Sequence, residues 1–172
     1  MIEGMNTPTQ TLLIDAFGRV KETVHRATTG LSQEQLATQP EPQANSIAWL
    51  VWHLTRVQDD HIAELAHQPQ LWATTWHKQF KLPFDQKATG YGHTSKEVAA
   101  VKASASLLLA YYDAVHEQTT AYIQTLTDKD FARVIDTNWD PPVTLGVRLI
   151  SVLDDDLQHA GQAAYIRGLL KF

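Results

Sequence analysis

The chain contains no cysteine. That excludes disulfides, zinc–thiolate sites and a cysteine nucleophile, so any thiol chemistry must use a thiol supplied from outside. It also lacks a basic block: net charge is −5 and the sequence pI is about 5.8, which argues against nucleic acid or an anionic membrane as partner. No apolar run approaches the roughly eighteen residues of a membrane span. The opening MIEGMNTPTQ has no charged n-region followed by an apolar h-region, so it does not read as a signal peptide, and a cytoplasmic location is expected. What remains is 172 residues, 44% hydrophobic and 19% charged, enough for one domain over residues 1–172 with a core that needs no staples. Eight histidines is a high count and directs attention to metal ligands.

Four long segments carry apolar residues at helical spacing. The first opens with Thr7 as N-cap and Pro8 at the first helical position, continues through Leu12, Leu13, Ala16, Phe17, Val20 and Val24, and stops at Gly30. A short piece over 32–37 follows, with Gln35 placed for a capping box behind Ser32. The second long helix runs over 47–66, capped by Asn45-Ser46 and ended by Pro69. Residues 70–93 form an aromatic, irregular stretch, expected to hold short helical turns over 72–79 and a Gly90/Gly92 turn. Thr94 and Glu97 form a capping box for a short helix through Val101, and a kink or new cap is expected over 102–106. The third long helix ends near Leu126. Trp139-Asp-Pro-Pro142 is no helix interior, and Thr144 caps a fourth long helix ending at Gly168. The pattern predicts an all-α protein, a four-helix bundle with short extra helices in its connections.

The last helix contains SVLDDDLQHAGQAAYIRG, with His159 three and four residues after Asp156 and Asp155. That spacing stacks an imidazole and a carboxylate on one helix face, as in helical metal sites. Asp155 projects about 40° around the helix from His159 and Asp156 about 60° the other way, so either can ligate. His53, between Trp49 and Val57 one turn away on either side, faces the bundle interior or borders it and is the candidate third ligand. The plain alternatives are a hydrogen-bonded core histidine and a solvated acidic face that suits the helix dipole. Nitrogen and oxygen donors suit zinc, nickel, iron or manganese, and three protein ligands leave positions open for water or a small-molecule substrate. His61, two turns beyond His53, can line the mouth of such a pocket or lie on the surface. His93 can touch substrate or serve only as a turn residue; Trp72, Trp76 and Trp139 can wall the pocket or pack the bundle ends. Arg167 can meet an anionic ligand or complement the helix dipole.

The segments SIAWLVWHLTR, GYGHT, WDPP and DDDLQHAGQAAYIRGLL together resemble the DinB superfamily. The likeness is to its DUF664 branch, which is related to mycothiol- or bacillithiol-dependent S-transferases and mycothiol-dependent maleylpyruvate isomerase. The resemblance implies a four-helix bundle holding a divalent metal through a His on the second helix and a His-x-x-x-His or Glu-x-x-x-His pair on the last. By position it implies His53, Asp155 and His159 as ligands, with Asp155 where the family more often has His or Glu. It further implies transfer of a low-molecular-weight thiol such as mycothiol to an electrophile, and a homodimer. The alternative reading is a bundle that binds a metal or small molecule without turnover.

Overall fold

The computed structural model describes residues 6–172. Four long helices carry the architecture: α1 (Pro8–Thr28), α3 (Ile47–Ala66), α6 (Ala105–Thr125) and α8 (Leu145–Leu169). Each starts where a hydroxyl side chain accepts a backbone N–H of the first turn: Thr7, Ser46, Ser104 and Thr144. Ser104 is the new cap expected between the short α5 (Ser95–Ala100) and α6. Helix α3 stops at His67, in the left-handed region with φ 54°, two residues before Pro69.

Helices α1 and α3 are consecutive among the long helices but lie diagonally; each packs instead against both α6 and α8. The core between them includes Phe17, Val20 and Val24 from α1, Leu50 and Leu54 from α3, Tyr111 and Val115 from α6, and Leu149 and Ala163 from α8. Leu12, expected among the packing positions, is instead 72% exposed, because the inward stripe of α1 runs through Leu13, Phe17 and Val20.

The connections hold α2 (Gln33–Ala37), a π-helical turn over Trp72–Trp76 followed by α4 (His77–Phe80), and α7 (Asp128–Phe131). They also hold one feature the helical pattern did not predict. A short antiparallel ribbon pairs β1 (Val134–Asp136) with β2 (Val143–Thr144), with an irregularity between Val134 and Asp136, and leads directly into α8.

The long 67–93 connection is fastened to α3 from beneath. Asp59, fully buried, accepts from the backbone N–H of Leu71 (2.9 Å) and Trp72 (2.7 Å) and from the Tyr111 hydroxyl (2.8 Å). Arg56, also fully buried, donates from Nε to the Ala88 carbonyl (3.2 Å) and from Nη1 to Gln70 Oε1 (3.1 Å), with its guanidinium over the Trp72 ring. Both ends of the connection are thereby held against the helix that carries His53.

Candidate metal centre

His53, Asp155 and His159 converge between α3 and α8: each offers a ligand atom, and the three atoms lie within 4.8 Å of one another. His53 is buried; Asp155 and His159 are half-buried. Two turns beyond His53 on α3, His61 Nδ1 lies 3.5 Å from Arg148 Nη1 on α8, so the two helices run antiparallel along this face.

Each imidazole has one nitrogen committed elsewhere. His53 Nδ1–H donates to the Thr89 carbonyl at 2.6 Å. A carbonyl only accepts, so the proton sits on Nδ1 and the lone pair belongs to Nε2. His159 Nδ1 is 3.0 Å from Gln162 Oε1, one turn on, and its Nε2 is 3.5 Å from Asp155 Oδ1. The other carboxylate oxygen, Asp155 Oδ2, is buried with no hydrogen-bond partner. Two imidazoles oriented through their far nitrogens, beside a carboxylate with a spare buried oxygen, form a donor set that fits a divalent cation. A tetrahedral ion with bonds near 2.1 Å holds its ligands about 3.4 Å apart, within reach of small side-chain rotations.

The electrostatics agree. Burial lowers the His53 pKa, keeping its ring neutral as a ligand must be. For His159 burial acts in the same direction, yet hydrogen bonding to Asp155 and Gln162 outweighs it and raises the pKa. A pair that favours a proton on His159 also favours a cation beside it.

Asp156 plays no part in this group. Its side chain is fully buried, neither oxygen has a hydrogen-bond partner, and burial followed by the Asp155 charge raises its pKa well above the ordinary value. Of the two acids the spacing left open, Asp155 is the one beside His159.

A cavity of about 300 Å³ adjoins the cluster, lined by His53, Val57, Asp60, His61, Thr89, Tyr91 and Asp155. His61 therefore lines the pocket. His93 does not: it stacks on Trp52, packs on Phe84 and accepts at Nδ1 from Trp49 Nε1–H (3.1 Å). Trp49 in turn stacks on His53 with ring centroids 4.6 Å apart and an interplanar angle of 15°. Trp72 is buried against Tyr111, with Trp76 on the same ring, while Trp139 is 67% exposed; none lines the cavity. Arg167 donates to the Thr29 carbonyl (2.8 Å) and to that of Arg26, satisfying the end of α1 rather than a ligand.

Gly90 makes the close approach of the loop possible. Its φ is +102°, and a Cβ there would stand 2.8 Å from His53 Nδ1 and 3.0 Å from the Trp52 ring. The Thr89 carbonyl and the Gln162 amide, which fix the two rings, were not singled out by the sequence. Gln162 follows His159 by three residues, a helical spacing that was readable; the Thr89 contact depends on how the loop folds back.

A family model described as mycothiol-S-transferase matches residues 12–171. The chain belongs to that family. A crystal structure described as a conserved protein of a locus from Enterococcus faecalis is 33% identical, with a TM-score of 0.87 over 95% of this chain and 96% of that one. YfiT from Bacillus subtilis, described as a probable metal-dependent hydrolase with an unusual four-helix bundle topology, is 20% identical. It matches at a TM-score of 0.67 over 100% of this chain and 93% of that one, and shares the fold. No curated protein matches the sequence. The DinB-type likeness and the bundle expected from the sequence are thus borne out, and none of the described helices is long and apolar enough to cross a membrane.

Proposed function

We propose that this mycothiol-S-transferase family member transfers a low-molecular-weight thiol, mycothiol or a relative, to an electrophile, using a divalent cation held by His53, Asp155 and His159. The observation that carries the reading is the convergence of two tautomer-fixed imidazoles and one carboxylate from two helices beside a small cavity.

Zinc, nickel, iron or manganese suits two nitrogens and one oxygen. Bound there, the cation would lower the pKa of the thiol and so supply a thiolate at neutral pH. The protein's own groups do the rest. Thr89 and Gln162 hold the two imidazole lone pairs toward one point. Trp49 stacks on one face of His53 and excludes water from it. The cavity beside the cluster, with Val57 on its wall, receives the electrophile. The new S–C bond forms as the leaving group departs, and the thiol proton passes to solvent. With no cysteine in the chain, the attacking sulfur is external.

The test is consumption of mycothiol, bacillithiol and N-acetylcysteine with a generic electrophile such as a chlorodinitroarene. It is run with protein loaded in turn with each of the four metals. Metal-dependent consumption lost in His53→Ala supports the reading. Metal binding with no consumption of any thiol would leave a binding bundle without turnover. Metal-dependent consumption of the electrophile without thiol would make water the nucleophile.

A further inference from the structure

A second cavity, of about 470 Å³, lies further along the α3/α8 face, with β1 on its wall. His61 Nδ1 stands 3.5 Å from Arg148 Nη1 at the boundary with the metal-side cavity. His61 lines the first cavity and Arg148 the second. Arg148 is held there by donating from Nη2 to Asp136 Oδ2 (3.2 Å), which ties the ribbon to α8. His61 lies eight residues beyond His53 on α3, so the boundary stands about 12 Å from the candidate ligand.

The lining has a distinctive charge balance. Glu64 and Asp136 oppose Arg133 and Arg148, two carboxylates against two guanidiniums, with His67, Asn138 and the apolar Leu65, Val134 and Ile135 completing the wall. The formal charges of these acids and guanidiniums cancel, so the wall favours neither an anion nor a cation by net charge, but it presents donors and acceptors side by side. Those are what a neutral ring bearing many hydroxyls requires, with its C–H faces on apolar side chains.

We infer that this second cavity binds the neutral, polyhydroxylated body of the thiol co-substrate, while the sulfur reaches the His53–Asp155–His159 cluster. The inference rests on the transferase reading for its biological meaning, but the site itself can be read without turnover. A cysteinyl thiol extended through an amide to one or two sugar rings spans the interval between the two cavities. A short thiol such as N-acetylcysteine reaches only the first.

The experiment has two arms. In the first, ¹⁵N-labelled protein without added metal is titrated with N-acetylglucosaminyl-inositol, a neutral polyol with no sulfur, and separately with S-methylglutathione, a net anion. The polyol is expected to shift the amides of Glu64, Asp136 and Asn138. The Glu64→Gln/Asn138→Ala double variant, changed at two exposed positions, should bind it about ten-fold more weakly. Polyol shifts that are absent or elsewhere, or stronger shifts at these amides with S-methylglutathione, overturn the proposal. In the second arm the double variant should raise KM for mycothiol about ten-fold while kcat and the KM for N-acetylcysteine stay unchanged. An equal rise for both thiols, or none, counts against it. If no thiol is turned over at all, the transferase reading fails and the first arm alone decides the cavity.

Discussion

The Thr89 carbonyl and His53 Nδ1 are 2.6 Å apart, and this one hydrogen bond decides which nitrogen of the imidazole is free to bind a cation. The bond depends on a residue that contributes no side chain. Gly90 lets the loop approach so closely that any β-carbon would strike the ring it serves. Gly90→Ala is therefore expected to destabilise the fold by about 1–3 kcal/mol through its positive φ. It should also weaken metal binding, because the imidazole must turn away. Thermal unfolding with a parallel zinc titration reads both effects; a stability loss with unchanged zinc affinity would contradict the positioning role.

The two neighbouring acids of α8 should separate cleanly. Asp155→Asn is expected to weaken zinc binding by on the order of 100-fold or more. Gln162→Ala, which frees the far nitrogen of His159, should cost about 10-fold, the low end for loss of an outer partner. Asp156→Asn should leave zinc affinity unchanged, since its carboxyl is buried away from the cluster. Calorimetric titration of the three variants ranks them.

Much of this candidate site is legible in the sequence. The i, i+4 spacing of Asp155 and His159 is a helix property, and His53 lay on an apolar helix whose inward face was clear from Trp49, Leu50 and Leu54. Helical spacing could not choose between Asp155 and Asp156, because both lie within a quarter-turn of His159. That choice is made by packing: Asp156 is fully buried on the core side of α8, while Asp155 is half-buried beside His159. The β-ribbon was missed because three residues paired with two are too few to show alternation. The fate of His93 depended on a loop whose path no local pattern records.

Asp59 tests the clamp beneath that loop. Asp59→Ala would leave Arg56 buried beside no carboxylate and remove the acceptor for two backbone N–H groups and the Tyr111 hydroxyl. A loss of roughly 3–5 kcal/mol is expected in denaturant unfolding. A loss under 1 kcal/mol would show that the clamp is dispensable.

His93 makes stability depend on pH. Burial lowers its pKa below the ordinary 6.5, and a proton on Nδ1 would oppose the Trp49 N–H that now donates to it. The unfolded chain therefore binds this proton more readily than the folded one. Its contribution is full above pH 6.5 and is lost as pH falls from there toward the lowered folded value. His93→Gln, which keeps an acceptor for Trp49, should flatten the decline between pH 7 and pH 5 relative to the parent protein; an unchanged slope would contradict the assignment.

The central claim is that His53, Asp155 and His159 share one cation. The most direct measurement is an anomalous difference map from crystals of the protein saturated with zinc. A single strong peak about 2.0–2.2 Å from His53 Nε2, His159 Nε2 and an Asp155 oxygen is the predicted result. No peak between α3 and α8 at saturating zinc, or a peak bound by other residues alone, would contradict it.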